Sequence, residues 1–290
     1  MNIGFIGLGN MGLPMAVNLS KQNHKVVGFD IVKKTDKILE IASSLSNTVE
    51  NKNVVITMLP DGVSLLKVYK DIVNFLSPDT VLVDCSTVDV ASAKEAALLA
   101  KKRGFSALDA PVSGGIGGAQ NGTLTFMVGG NEGAFKIAKP LFEIMGQKAV
   151  LCGDSGAGQS VKICNNMILG ISMIGVCEGF SMAEKLGLDN SKMFDVVSNS
   201  SGSCWSINTY CPVPNVGPKT PADNNYTPGF STDLMLKDLG LAHAASSQTK
   251  SFTPLGEKAL NLYQKFYEEG GKGKDFSAII EYIKASGSLL

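Results

Sequence analysis

The feature of this sequence that most constrains its fold is a glycine-rich segment near the N-terminus. Residues 3–12 read IGFIGLGNMG, in which Gly7, Gly9 and Gly12 form a G-x-G-x-x-G pattern directly after a strand-like run. The first glycine permits a tight turn, the second lets a pyrophosphate approach the backbone, and the third lets a helix pack on the strand. The N–H groups of that helix would face the phosphates, with Asn10 and Met11 in the same turn. The pattern predicts a dinucleotide site.

An acidic residue follows the second predicted strand, Lys25–Phe29. Asp30 lies 18 residues after Gly12, where a carboxylate can bind both ribose hydroxyls of NAD and would repel the 2′-phosphate of NADP. The spacing therefore favours NAD. Lys33 and Lys34 weaken this preference slightly, because they could soften the repulsion.

The first half of the chain alternates short apolar runs with helical segments, which predicts a parallel sheet covered on both faces. We expect an N-terminal Rossmann domain over residues 1–155, an α/β doubly wound sheet. The predicted strands are Ile3–Ile6, Lys25–Phe29, Val54–Met58, Val81–Asp84, Ser106–Asp109 and Leu124–Val128, and the predicted helices include Met11–Lys21, Val63–Tyr69 and Ser92–Arg103. Ligands of such sheets bind beyond the carboxyl ends of the strands, where Leu59, Pro60, Ser64 and Thr87 fall.

The second half, residues 156–290, has helix-length apolar segments, which predicts an all-α domain. A long helix from about Ala157 to Leu186 should be buried between domains or subunits, with Gly170, Gly175 and Gly179 allowing close approach. Its most apolar part, Met167–Cys177, is shorter than a membrane span. We expect Asp189 to cap the next helix, residues 200–229 to form an ordered loop over a site, and three helices to follow: Ser231–Ser247, Leu255–Glu268 and Asp275–Ala285.

The charge balance and the histidines exclude other classes of function. Lys+Arg and Asp+Glu both number 26 without a long basic block, which argues against a nucleic-acid partner. No C-x-x-C pair is present, and His24 and His243 are far apart, so no metal site is predicted. No targeting segment precedes the first strand-like residues.

A reaction at a bound nicotinamide needs a group that takes or gives a proton. His24 precedes its strand, at the wrong end of the sheet, and no tyrosine has a lysine four residues later. Lysine, tyrosine and carboxylate remain. Lys162 and Asn166 share one face at the start of the long apolar helix, where burial and a nicotinamide cation would both lower the pKa of the lysine. A lysine whose charged end reaches solvent is an equal alternative from the residues alone.

A second glycine-rich run, residues 109–125, reads DAPVSGGIGGAQNGTLT. Ser113, Gly114 and Gly115 could present a hydroxyl and backbone N–H groups to a carboxylate, as an anion nest does. An ordinary glycine loop is the alternative.

Several blocks in this order resemble the β-hydroxyacid dehydrogenase family. GFIGLGNMG (4–12) is similar to the cofactor motif of that family, DAPVSGGIGGAQNGTL to its substrate motif and GAGQSVKICNN to its catalytic motif. The resemblance implies Lys162 as acid/base, with Asn166 as its helper. Gly229-Phe230 and LKDLGLA (236–242) resemble a fourth block, which implies Phe230 and Lys237 near the nicotinamide and Asp238 supporting the site.

Within the family, residues 203–226 are most similar to the 3-hydroxyisobutyrate dehydrogenases of eukaryotes. This implies NAD-linked oxidation of 3-hydroxyisobutyrate to methylmalonate semialdehyde in valine breakdown. It also implies that residues 156–290 form the substrate and dimerisation domain of a homodimer or homotetramer. The implied location is the mitochondrial matrix, otherwise the cytoplasm. One alternative is a tartronate semialdehyde or 4-hydroxybutyrate-type reductase; such reductases often prefer NADPH, so Asp30 argues against this alternative. The other is a non-catalytic dinucleotide-binding interaction module, which the presence of Lys162 argues against.

Overall fold

A computed structural model describes residues 1–286 of the chain. The chain divides into two compact units, Met1–Lys162 and Ile163–Leu290. The first unit contains a sheet and its helices, and the second is helical.

One nine-stranded sheet organises the first unit in the described part of the chain. Its strands are β1 (Asn2–Ile6), β2 (Lys25–Phe29), β3 (Glu40–Ile41), β4 (Val54–Thr57), β5 (Val81–Asp84), β6 (Ser106–Asp109), β7 (Val112–Ser113), β8 (Leu124–Gly129) and β9 (Gly146–Gly153). All six predicted strands are present, with differences of one residue at some ends.

The strand order is that of a doubly wound nucleotide-binding fold. The order runs β3-β2-β1-β4-β5-β6, and each neighbouring pair in this series is parallel. The chain leaves β1 toward β2 and β3 on one side and returns to β4, β5 and β6 on the other. The crevice at this reversal lies at the carboxyl ends of β1 and β4, where such sheets bind nucleotides.

The expectation of a wholly parallel sheet is wrong for its far side. Strand β8 pairs antiparallel with β6 and β7, although β9 is parallel to β8. Ten residues join Ser113 of β7 to Leu124 of β8, which is shorter than the dozen or more that a parallel crossover usually requires. The chain therefore doubles back, and Val112 pairs with Phe126.

Helices cover both faces of the sheet, as predicted. They are α1 (Gly12–Lys21), α2 (Leu45–Val49), α3 (Gly62–Ile72), α4 (Val90–Lys102), α5 (Gly115–Asn121) and α6 (Glu132–Met145). Strand β4 shows the two-sided burial: Val54 and Ile56 belong to the cluster that contains Phe142 of α6, whereas Val55 packs in the cluster with Leu65 of α3. Alternate strand residues point to opposite faces.

The second unit is built from helices, and its core lies around α7. The helices are α7 (Ala157–Lys185), which begins in the first unit, α8 (Asn190–Val197), α9 (Trp205–Asn208), α10 (Thr232–Thr249), α11 (Pro254–Phe266) and α12 (Ile279–Ser286). Met173, Cys177 and Phe180 of α7 are buried with Tyr263 and Phe276. Asp189 caps α8 as predicted, accepting from Lys192 N–H.

The sides of α7 differ in their burial within the chain. Within the chain Ile168 is 61% exposed and Met182 63% exposed. A Cβ on Gly170 would lie 3.0 Å from Leu239 of α10, so that glycine does allow close packing, but a Cβ on Gly175 would meet nothing within 4 Å. By length and composition α7 could also cross a membrane, contrary to the expectation from its apolar centre. Buried core helices pass the same test, and the buried residues of α7 fit that explanation.

Residues 200–229 are ordered, as expected, and pack into the second unit. The Trp205 and Tyr210 rings stack with centroids 4.9 Å apart. The Tyr210 hydroxyl donates to Asp275, which also accepts from the N–H groups of Gly229 and Phe230. One buried carboxylate therefore anchors both ends of this segment.

Candidate active site

The glycine-rich turn between β1 and α1 has room for backbone but not for side chains at two of its three glycines. Gly7 has φ +95°, and a Cβ there would lie 2.1 Å from the Met58 carbonyl oxygen. A Cβ on Gly12 would lie 1.9 Å from the carbonyl oxygen of Gly7. A Cβ on Gly9 would meet no protein atom within 4 Å. Gly7 and Gly12 are thus required by the fold, whereas Gly9 fits a close approach by a ligand. Asn10 and Met11 complete the turn before α1.

Asp30 follows β2 and is fixed by the backbone on both carboxylate oxygens. Its Oδ2 accepts from Leu8 N–H at 2.7 Å, and its Oδ1 accepts from Val32 N–H at 2.8 Å. A carboxylate has about four acceptor positions, so two stay available for ribose hydroxyls. Asp30 is half-buried at the carboxyl end of β2, where the predicted ribose contact requires it.

Ser86 joins the loops that follow β4 and β5. Its hydroxyl accepts from Leu59 N–H at 2.8 Å and donates to Oδ1 of Asp84 at 2.5 Å. Thr57 donates to the same Oδ1 at 2.7 Å. The two loops at the carboxyl ends of neighbouring strands are therefore joined by hydrogen bonds through Ser86.

Asp84 is fully buried beneath these loops. Burial raises the pKa of its carboxyl to about 6, although hydrogen bonds from Ser86 and Thr57 favour the charged form and oppose the rise. Its Oδ2 has no hydrogen-bond partner among the described residues. The carboxyl therefore changes charge close to neutral pH.

The other predicted cofactor residues of this unit lie along the same edge of the sheet. Pro60 follows Leu59, and Thr87 follows Ser86. Ser64 lies in the first turn of α3, where its N–H donates to Asp61, the N-cap. That bond uses the Ser64 N–H, which leaves the Ser64 hydroxyl as the group that could reach a ligand.

The predicted carboxylate-binding segment is more regular than a loop. Ser113 ends β7, and Gly114 precedes α5 with φ +134°. Gly115 begins α5 with φ +62°. Such angles favour glycine, and they set this turn apart from an ordinary strand-to-helix connection. The alternative of a plain glycine loop is wrong for residues 115–121, because they form a helix.

The start of α7 is held by a buried carboxylate. Asp109, at the end of β6, accepts from Gly156 N–H at 2.7 Å and from Gln159 N–H at 2.9 Å. Burial raises the pKa of Asp109, and the backbone N–H groups oppose the rise. A Cβ on Gly158 would lie 2.2 Å from the Met127 carbonyl oxygen, so the glycine allows this close contact between helix and sheet.

Lys162 lies in the second turn of α7 and is only 6% exposed. Gln159, three residues earlier, is fully buried. Its Nε2 donates to the Ser86 carbonyl at 2.7 Å, and its Oε1 accepts from Val88 N–H at 3.1 Å. The turn that carries the lysine is therefore attached to the loop that follows β5. A lysine that extends into solvent is excluded by this burial.

Asn166 lies one helical turn after Lys162, and its amide is fixed by neighbours in the second unit. Its Nδ2 donates to Oδ2 of Asp238 at 2.5 Å, and its Oδ1 accepts from Asn165 at 2.9 Å. Lys237 Nζ lies 3.9 Å from Oδ1 of Asp238. Phe230 packs edge-on against Phe276, with ring centroids 5.6 Å apart.

Two family models cover nearly the whole chain. Residues 2–153 match the NAD binding domain of 6-phosphogluconate dehydrogenase, and residues 156–283 match the family described as NAD-binding of NADP-dependent 3-hydroxyisobutyrate dehydrogenase. A probable 3-hydroxyisobutyrate dehydrogenase of Mycobacterium tuberculosis is 44% identical over 98% of both chains.

A mitochondrial relative and a solved structure are also similar to this chain over most of its length. The mitochondrial 3-hydroxyisobutyrate dehydrogenase of Mus musculus is 43% identical over 97% of this chain and 87% of that one. The structure of M. tuberculosis 3-hydroxyisobutyrate dehydrogenase with L-serine has a TM-score of 0.93 and 44% identity, and covers 98% of this chain and 99% of that chain.

The chain belongs to the β-hydroxyacid dehydrogenase family. It is an oxidoreductase with a nicotinamide dinucleotide as its cofactor. The glycine turn, the strand order and Asp30 fit that cofactor: two glycines admit no side chain, and a half-buried carboxylate stands at the end of β2. Relatives named mitochondrial and relatives from mycobacteria match this β-hydroxyacid dehydrogenase about equally well.

Sequence reasoning missed the buried polar residues that hold this dehydrogenase site together. They are Asp84, Asp109 and Gln159. A buried glutamine three residues before a buried lysine is a signal that could have been noticed. Its partners, however, lie 71 to 73 residues earlier in the chain, and spacing alone does not identify them.

Proposed function

We propose that this chain oxidises the hydroxyl of 3-hydroxyisobutyrate to the aldehyde of methylmalonate semialdehyde, with NAD+ in preference to NADP+. The observation that carries the proposal is the burial of Lys162 in the unit that holds the dinucleotide crevice. Lysine is among the residue types that are most rarely buried, and Lys162 lies in the second turn of a helix attached to the loop after β5.

The proposed chemistry breaks two bonds of the substrate, the O–H bond, whose proton goes to a base, and the C–H bond of the carbinol carbon. When bound, NAD+ would supply the acceptor for the hydride from that carbon. The neutral amine of Lys162 accepts the hydroxyl proton, and the electrons of the O–H bond form the carbonyl. In the reverse direction the ammonium of Lys162 returns the proton.

The remaining residues bind and orient. The substrate carboxylate is bound by the Ser113 hydroxyl and by the N–H groups of Gly114 and Gly115. The positive φ angles of the two glycines support this role. The amide of Asn166, fixed by Asp238, orients the substrate hydroxyl and the lysine. Lys237 and Phe230 are proposed to lie near the nicotinamide, on the resemblance of their block.

The relatives support the substrate class. The M. tuberculosis and M. musculus relatives described above carry the name 3-hydroxyisobutyrate dehydrogenase. The M. tuberculosis structure contains L-serine, which, like 3-hydroxyisobutyrate, has a hydroxyl on the carbon β to a carboxylate. We further propose a homodimer or homotetramer, on the resemblance to the family, and a mitochondrial matrix location, because some relatives are named mitochondrial.

The test is a steady-state assay of the purified full chain with NAD+ and with NADP+. The substrates are 3-hydroxyisobutyrate, 3-hydroxypropionate, L-serine, glycerate and 4-hydroxybutyrate. We expect the highest kcat/KM with 3-hydroxyisobutyrate and NAD+. A maximum with glycerate or 4-hydroxybutyrate would assign a sister activity of the tartronate semialdehyde or 4-hydroxybutyrate type. Absence of activity on all five, with NAD+ binding retained, would favour a non-catalytic module.

A further inference from the structure

Gln159 makes a two-point contact with the loop after β5. Its carboxamide donates to the carbonyl of residue 86 and accepts from the N–H of residue 88, at 2.7 Å and 3.1 Å. A side-chain amide here pairs with a backbone segment as a neighbouring strand would. Ser86 and Val88 are themselves buried, so no solvent replaces Gln159 if its amide is removed.

The loop that Gln159 holds is also tied to the next loop of the crevice. The hydroxyl of Ser86 accepts from Leu59 N–H at 2.8 Å. A continuous series of hydrogen bonds therefore runs from α7, through Gln159 and Ser86, to the loop that follows β4. Both loops lie at the carboxyl ends of strands beside the crevice.

The same glutamine lies on the helix that carries the lysine. Residues three apart on a helix share a face, so Gln159 and Lys162 project in similar directions from α7. Both are buried, in the same compact unit. The backbone N–H of Gln159 is held separately by Asp109, so the helix start keeps one attachment when the side-chain amide is changed.

We propose that Gln159 is a positioning residue, whose carboxamide sets the place of Lys162 relative to the two cofactor loops. This inference rests on the proposed function, because it assumes that Lys162 moves the substrate proton. Proton transfer falls steeply with small displacements of the base, and misplacement by about 1 Å can reduce a rate about a hundredfold.

Two substitutions separate positioning from stability alone. Gln159→Met has a similar shape and makes neither hydrogen bond. Gln159→Glu keeps the acceptor for Val88 N–H, but it can donate to the Ser86 carbonyl only when protonated. Gln147→Glu, at an exposed position on β9, is the matched control for the added charge.

The rate of NADH formation in a single turnover with 3-hydroxyisobutyrate is measured from pH 6 to pH 9, well below each variant's melting temperature. For Gln159→Met we expect a rate at least about tenfold below that of the wild type. The ratio of the two rates should not change with pH, and the NAD+ Kd should stay within about threefold of the wild-type value. For Gln159→Glu we expect the ratio to wild type to rise as pH falls, since protonation restores the donor. Gln147→Glu should follow the wild type throughout.

Lys162→Ala, measured beside them, separates the two proposals. If Lys162→Ala retains the wild-type rate, the proposed role of Lys162 as the base fails, and the positioning role of Gln159 fails with it, although the proposed oxidation of 3-hydroxyisobutyrate stands. If Lys162→Ala is inactive but Gln159→Met and Gln159→Glu turn over at the wild-type rate, or Gln159→Glu shows no recovery at low pH, only the positioning role fails. If Gln159→Met does not fold, the pH dependence of Gln159→Glu tests the positioning role.

Discussion

The Asp30 carboxylate accepts a hydrogen bond from Leu8 N–H, with 2.7 Å between Oδ2 and the nitrogen. The end of β2 is thereby joined to the glycine turn, and the negative charge is held at the place that we propose for the ribose. The proposed preference for NAD+ would then have a structural cause, because the carboxylate could not move away from a 2′-phosphate without breaking that bond.

Asp30→Asn should therefore reduce the preference for NAD+ over NADP+ at least about tenfold, since it removes the charge that repels the 2′-phosphate. The measurement is kcat/KM with each cofactor. Asp36→Asn is the control, because Asp36 also accepts backbone N–H groups, from Ile38 and Leu39, in the same connection. An unchanged preference in the Asp30 variant would remove Asp30 from the ribose site.

Lys162→Ala should reduce kcat by about a hundredfold or more, the range typical of a lost general base, while the NAD+ Kd stays near the wild-type value. Small primary amines added to this variant should restore part of the rate, because they supply the missing base. Lys148→Ala, an exposed lysine of β9, is the control. Wild-type turnover by Lys162→Ala would contradict the assignment.

Two glycines of one turn should respond differently to alanine. Gly12→Ala forces a Cβ to within 1.9 Å of the Gly7 carbonyl oxygen, so we expect a loss of stability on the order of 1–3 kcal/mol or more. Gly9→Ala meets no protein atom and should fold normally but bind NAD+ at least about tenfold more weakly. Thermal unfolding and calorimetric titration check the pair. Normal NAD+ affinity in Gly9→Ala would disprove the close approach.

Asp84→Asn should stabilise the fold at high pH and leave it nearly unchanged at low pH. The pKa of Asp84 is raised from 3.8 to about 6, so the wild type loses stability as pH rises from about 4 to about 6, when a buried charge forms. Above pH 6 the full cost is present. Urea unfolding at pH 4.5 and pH 8 measures this difference. Asp71→Asn, an exposed carboxyl on α3, should show no such dependence. Equal effects at both pH values would contradict the raised pKa.

Six strands could be predicted from sequence because each is a short apolar run bounded by turn residues; they are β1, β2, β4, β5, β6 and β8. The direction of β8 could not, since the strand has the same side-chain pattern in either direction, and only the short connection after β7 determines its orientation. Helix α5 was also missed. It contains Gly115, Gly117 and Gly118, and glycine costs about 1 kcal/mol in a helix, so tertiary packing, and not local preference, forms it.

The same distinction between local and long-range features applies to the candidate site. The glycine turn and Asp30 could be proposed from sequence because their chemistry depends on local spacing. The attachment of Gln159 could not, because its partners are backbone groups distant in sequence. The long helix α7 was located correctly, but its apolar composition does not tell which of its faces meet another part of the protein.

The two edges of the sheet affect how the chain behaves before it is fully folded. One edge is β3, only two residues long, and it follows a loop with Lys33, Lys34 and Lys37. The other is β9, whose pairing with β8 is interrupted by two register shifts. Short or irregular edges are poor templates for strands of another molecule, so this parallel sheet, which forms slowly from distant segments, is protected against aggregation while it assembles.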